Sequence, residues 1–365
     1  MQTTTHRVAL GDCRTLSSVD DESVHLVVTS PPYPMIEMWD AQFCDLDAGI
    51  HEALDGEDGE RAHELMHRQL DRSWAEIHRV LVPGGIACIN IGDATRTLGG
   101  EFRLYANHSR ILASCLDLGF HALPLVLWRK QTNAPNKFMG SGMLPPSAYV
   151  TLEHEYILLL RKGDRRLFGP DVSRSRRAGA YFWEERNTWF SDLWDLKGTR
   201  QERHAPTTGR SRTAAFPLEI PLRLIHMYSL PAETVLDPFC GSGTTTCAAI
   251  AAGRSSIGFE IDADLLKEAH ERIQGSVKEL NERIFARLEA HRSYIITRSR
   301  DGRAPAHHNV IHGFPVVTSQ ETDLEIHFIA RVHRHGSEFE VSYLAASDSR
   351  LPPSPSQEEQ PELRL

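Results

Sequence analysis

The sequence predicts an α/β protein built on a largely parallel sheet. Short apolar runs alternate with stretches of helical period, the pattern of strands joined by crossover helices. The early apolar runs end in polar loops, where open sheets of this kind place their ligands. The 365 residues, 41% hydrophobic and 24% charged, are enough for one large domain with additions or for two domains.

The elements follow in order. RVAL (7–10) and VHLVV (24–28) read as buried strands. Residues 71–83 place Trp74, Ile77 and Leu81 at helical spacing, and Gly84-Gly85 supplies the stop. IACINI (86–91) is a strand. A helix is expected near 103–118, with Leu104, Ile111, Cys115 and Leu118 on one side and Gly119 at its end. ALPLVLW (122–128) and YILLL (156–160) are strands. Periodicity is poor over 163–215. It resumes with a strand at 234–237, a helix over 244–252, a strand at 255–261 and a long helix over 263–292. Weak alternation within 294–346 suggests a small β appendage. The Pro- and Glu-rich end, 350–365, is expected to be disordered.

Composition excludes several classes. No run approaches the roughly 18 apolar residues of a membrane helix, and MQTTTHRVALGD lacks the apolar core of a signal peptide. The six cysteines form no CxxC pair, so neither a zinc site nor a disulfide framework is indicated, and a cytoplasmic location fits. AHHNVIH (306–312) has no carboxylate or cysteine at ligand spacing, so no metal is expected there. The net charge is −9, but it is unevenly spread. Residues 40–60 hold eight acids and no Lys or Arg, whereas 161–212 hold 13 Lys/Arg against seven acids. The basic stretch suits contact with phosphates; a solvated arginine-rich loop is the plainer alternative.

Two motifs carry chemistry. In VLDPFCGSGTTT (235–246), Gly241 and Gly243 permit positive φ and close backbone approach, and the following helix start attracts an anion. No Lys follows, so this is not a P-loop. Glu260 lies 17 residues after Gly243, at the end of the next strand, where an acid can accept from both ribose hydroxyls of a nucleoside. Cys240 reads as a small pocket-lining residue. The second motif is TSPPY (29–33). Its prolines stiffen the loop and remove N–H donors. Ser30 and the Pro31 carbonyl can then accept both hydrogens of an exocyclic amine, and Tyr33 offers a face to a planar base. A rigid Pro-Pro turn over a packed tyrosine is the bland reading.

The pairing of SPPY with DPFCGSGT resembles the amino-group DNA methyltransferases that use S-adenosylmethionine, across roughly residues 7–270. LVPGGIACINIGD (81–93), HEYILLLRK (154–162) and FPLEIPLRLI (216–225) resemble further family segments. The resemblance implies a doubly wound, mostly parallel, seven-stranded Rossmann-like sheet. With SPPY first and the glycine loop last, it implies the circularly permuted β class. It implies a catalytic half at 1–162, a target-recognition region at 163–203, a cofactor half at 204–293, an appendage at 294–349 and a tail at 350–365. Ser30, Pro31, Pro32 and Tyr33 become the catalytic residues. Asp12, Thr29, His204, Ala205, Phe216, Asp237, Phe239, Cys240, Gly241, Ser242, Gly243, Thr244 and Glu260 become the cofactor site. Arg165, Arg166, Arg174, Arg176 and Arg177 become candidate contacts to double-stranded DNA.

Within the family a leading Ser is typical of cytosine-N4 enzymes and Asp of adenine-N6 enzymes, so cytosine N4 is expected and adenine N6 is the alternative. Methylation of an RNA, protein or small-molecule amine, and an inactive DNA-binding module, are remoter alternatives. The resemblance further implies base flipping, direct transfer without a covalent intermediate, a cognate restriction endonuclease in a restriction-modification system, and a homodimer.

Overall fold

The computed structural model describes residues 3–130, 139–140, 144–146, 148–198 and 216–344. His204, Ala205 and the tail 350–365 lie outside the described residues, as does most of the loop 131–147.

Ten strands form one mixed sheet: β1 (Thr3–Leu10), β2 (Val24–Thr29), β3 (Leu81–Ile91), β4 (Phe120–Arg129), β5 (His154–Lys162), β6 (Leu193–Asp195), β7 (Thr234–Asp237), β8 (Ser255–Glu260), β9 (Ile329–His335) and β10 (Glu338–Tyr343). Their spatial order is β6-β4-β5-β3-β2-β7-β8-β1-β10-β9. The run β3-β2-β7-β8-β1 is parallel throughout. β5 runs against both β3 and β4.

The expected α/β architecture is present, with seven strands from β4 to β1. The sheet is wider than seven, however. β6 pairs beside β4, and the β9–β10 hairpin pairs antiparallel to β1, so these C-terminal strands join the main sheet. The alternation in EFEVSY explains this. Phe339, Val341 and Tyr343 all point to one face and are buried, and Tyr343 donates to the Ile250 carbonyl at 2.8 Å.

Period-two alternation fills a layer on each face. Leu26 and Val28 enter one core, while Val27 enters the other. On the first face lie α3 (Glu219–Tyr228), α4 (Thr244–Ala252) and α6 (Val277–Arg300); on the second lie α1 (Gly59–Val80) and α2 (Asn107–Asp117). Helices on both faces make the sheet doubly wound. On α1, Ala62, Met66, Leu70, Trp74 and Ile77 recur at helical spacing and are buried. Trp74 is 0% exposed. Trp74→Ala is expected to cost about 3–5 kcal/mol, read as a shift in the urea midpoint; a loss below about 1 kcal/mol would contradict this packing.

Three expectations need correction. Leu104 is not helical. It lies in a hairpin, Ala94–Leu98 with Glu101–Tyr105, and is 54% exposed. Gly99 and Gly100 both take positive φ, 58° and 75°, which permits a two-residue hairpin loop. The expected 263–292 helix is two, α5 (Ala263–Gly275) and α6, broken at Ser276. The helix expected over 71–83 starts earlier, at Gly59, and ends at Val80, because Leu81 is already extended at the start of β3.

Candidate active site

β1, β2, β3, β7 and β8 are parallel, so their carboxyl ends share one edge. β5 is antiparallel, so it brings its amino end, His154-Glu155, to the same edge. The two sequence motifs meet there. Thr29 Oγ1 donates to Asp237 Oδ1 at 2.6 Å across 208 positions of chain, and Thr245 Oγ1 donates to the Val28 carbonyl at 3.2 Å.

Behind SPPY stands a polar network. Tyr33 Oη donates to Glu155 Oε2 at 2.9 Å and lies 3.1 Å from Ser30 Oγ. Asn90 Nδ2 reaches both Tyr33 Oη (2.8 Å) and Glu155 Oε2 (2.7 Å), and Lys130 Nζ pairs with Glu155 Oε1. Asn90 Oδ1 is buried without a partner. Burial, then the Glu155 charge, raises the Tyr33 phenol well above its usual value, so Tyr33 is a neutral donor. Pro31 and Pro32 are buried, and among the described residues nothing donates to the Pro31 carbonyl.

The glycine loop forms as its composition requires. Gly241 and Gly243 have φ of 53° and 78°. A Cβ on Gly243 would meet Ile273 Cδ1 at 3.2 Å. Glu260 accepts from Gly241 N at 2.8 Å and Asp262 N at 2.9 Å. Burial raises its carboxyl above the usual range despite these two donors. Burial likewise lifts Asp237 to about 6, against hydrogen bonds from Thr29 Oγ1 and the Phe239 amide. Cys240 is buried, its thiol raised by burial, and a Cβ on Gly258 would meet its Sγ at 2.9 Å. It is inert packing, not a nucleophile. Arg272 Nη1 ties the loop to α5 through Ser242 Oγ (3.0 Å) and Thr244 Oγ1 (2.8 Å).

A family model described as DNA methylase, of the N6/N4 type, matches residues 24–271 and so takes in both motifs. The chain belongs to this DNA methylase family. The Type II methyltransferase M.MthZI of Methanothermobacter thermautotrophicus is 47% identical over 345 residues, covering 93% of this chain and 95% of its own. M.MjaI of Methanocaldococcus jannaschii, also a Type II methyltransferase, is 52% identical over 282 residues, 74% of this chain and 92% of its own. A Thermus thermophilus protein provisionally described as a DNA modification methylase, solved with S-adenosyl-L-methionine, superposes with TM-score 0.55. It is 32% identical and covers 73% of this chain and 93% of its own.

Not every candidate of this DNA methylase gathers at the carboxyl edge. Asp12 follows β1 there, but Arg14 grips both its oxygens, Nε donating to Oδ1 at 3.0 Å and Nη2 to Oδ2 at 2.6 Å. Burial would raise the Asp12 carboxyl; the Arg14 hydrogen bonds and charge outweigh that and lower it. Phe239 lies 6.0 Å from Trp74, centroid to centroid. Phe216 is buried in the core beside Leu218.

The five arginines, expected as DNA contacts, lie on the segment that follows β5. β5 ends at Lys162 on the amino edge, and the chain emerges there. Arg166 pairs with Glu233, which immediately precedes β7, and crowds Gly84 near the start of β3. Arg176 stacks on Phe168 with Arg166, and Arg177 pairs with Asp323 at 2.6 Å. Arg165 and Arg174 are exposed on the same segment. None of the five joins the site's hydrogen-bonded network.

Sequence reasoning missed Asn90, Lys130, Glu155 and Arg272. A signal existed for Glu155: a carboxylate opening a buried apolar strand, here 8% exposed, is rarely idle.

Proposed function

We propose that this DNA methylase transfers a methyl group from S-adenosylmethionine to the N4 amine of a cytosine in duplex DNA. The observation that carries the reading is the Thr29–Asp237 contact, which sets SPPY beside the glycine loop. The loop suits the cofactor: Gly241 and Gly243 leave room for close approach, and each Glu260 oxygen, holding one backbone N–H, keeps a lone pair for a ribose hydroxyl. When bound, S-adenosylmethionine supplies an electrophilic methyl on a sulfonium.

The chain's own residues orient the amine. Ser30 Oγ and the Pro31 carbonyl accept its hydrogens in a frame that prolines hold rigid, and Tyr33 borders the base. The base must leave the duplex stack to reach them. SPPY preceding the glycine loop matches the permuted order of the β class, and the leading Ser30 favours cytosine N4 over adenine N6. The two Type II relatives support a place in a restriction-modification system with a cognate endonuclease.

Treating unmethylated bacterial DNA with the protein and S-adenosylmethionine, then analysing nucleosides by mass spectrometry, should yield N4-methylcytosine. N6-methyladenine instead would refute the base assignment and leave the amine chemistry standing. Ser30→Ala should slow transfer by about a hundredfold or more while retaining DNA binding in a filter assay.

A further inference from the structure

Counting donors orders the hydrogen bonds around Ser30. An ionised Glu155 only accepts. Tyr33 has one O–H, and Oη lies 2.9 Å from Glu155 Oε2, so that proton points at the carboxylate. Asn90 Nδ2 donates to both Tyr33 Oη and Glu155 Oε2. The 3.1 Å contact between Ser30 Oγ and Tyr33 Oη then has one donor left, Ser30 itself. Ser30 therefore directs its proton inward and its lone pairs toward the space in front of the loop. Lys130 closes the outer end on Glu155 Oε1.

We infer that Glu155 is a positioning residue that, through Tyr33, holds Ser30 Oγ as the acceptor for the target amine and takes up the proton the amine releases. This rests on the amine-methylation reading above. As the nitrogen lone pair forms the N–C bond, the methyl's C–S bond breaks and its electron pair stays on sulfur. The methylated nitrogen then carries one proton too many. That proton passes to Ser30 Oγ, the Ser30 hydroxyl proton to Tyr33 Oη, and the Tyr33 proton to Glu155 Oε2. The resulting carboxylic acid loses its proton to water. The outer end is accessible enough for this, with the Glu155 and Lys130 side chains 11% and 40% exposed.

The test is single-turnover methylation of duplex fragments of unmethylated bacterial DNA by wild type, Glu155→Gln and Glu155→Asp. The glutamine oxygen can still accept from Tyr33 but takes up no proton near neutral pH. Glu155→Gln should lower the rate by about a hundredfold or more, with the melting temperature and calorimetric affinity for S-adenosylmethionine close to wild type. Glu155→Asp, which keeps a carboxylate behind Tyr33, should recover much of the rate that Glu155→Gln loses. An unchanged rate in Glu155→Gln, or a Glu155→Asp variant no faster than Glu155→Gln, overturns the inference. So does a rate loss matched by losses of cofactor binding and thermal stability, which would make Glu155 structural. Ser30→Ala separates the two readings. If it is unimpaired, the assignment of Ser30 itself fails; if it is impaired while Glu155→Gln is not, the relay alone fails.

Discussion

Glu260→Ala is expected to weaken S-adenosylmethionine binding by about 10²- to 10⁴-fold, measured by calorimetry. Glu260 ends β8 and is 9% exposed, with each oxygen held by one backbone N–H. Those two bonds aim the remaining lone pairs outward, so the carboxylate is preset to receive two hydroxyls. A hydrogen bond to a charged group contributes about 1.5–3 kcal/mol, and each 1.4 kcal/mol is tenfold in affinity. Two such bonds give the stated range.

The same substitution removes the acceptor from Gly241 N–H, so part of its effect could come from a loosened loop. Glu260→Gln separates the contributions. It keeps one oxygen acceptor but places an amide where a second N–H must be met. An affinity between those of wild type and alanine is expected, with the melting temperature lowered in both variants by a few degrees. A Glu260→Ala protein that binds S-adenosylmethionine within threefold of wild type would remove Glu260 from the site.

The two motifs were legible because each is local. Backbone stiffness in SPPY and positive φ at Gly241 and Gly243 follow from residue type alone, and the parallel-sheet pattern brings both to one edge. The supporting network was not legible in the same way. Glu155 reaches Tyr33 across 122 positions, and only the antiparallel sense of β5 carries it to the carboxyl edge. Strand direction has no signature in the apolar run HEYILLLRK. The position of the arginines has the same cause. Composition marked 163–203 as basic, but whether the chain leaves β5 at the site edge or the far edge is a fact of topology. Leu104 failed for another reason. Its apolar match to a helical face outweighed the Gly99-Gly100 turn, which was the stronger local signal. The long helix divided at the Gly275-Ser276 pair. Both halves contact α4 and β9, but α5 also packs on β1 and β8.

Acidification should stabilise this protein through Asp237, and Asp237→Asn should abolish that contribution. The group is 3% exposed, and burial lifts its carboxyl from 3.8 to about 6. Above pH 6 the folded state holds a buried carboxylate that the unfolded chain would expose to water. A pKa difference near two units corresponds to a cost of about 3 kcal/mol. As pH falls from about 7 to 4, the folded state takes up a proton before the unfolded state does, so the cost disappears. Other groups act oppositely. His6 and His67 are buried with values lowered to about 3, and they favour unfolding as the unfolded chain protonates near pH 6.5. The whole-protein curve therefore mixes signs, and only the wild-type minus Asp237→Asn difference in urea unfolding free energy isolates the term. That difference should be flat above about pH 7 and shift by up to about 3 kcal/mol in favour of the wild type between about pH 7 and 4; a constant difference across that window would mean that Asp237 titrates normally. Cofactor binding should move the other way. A cationic sulfonium near the loop favours the ionised carboxylate, and by reciprocity S-adenosylmethionine should bind more weakly as pH falls through about 6. A drop in affinity across that window would tie the buried charge at Asp237 to the cationic methyl donor, and an affinity unchanged from pH 7 to 5 would separate the two.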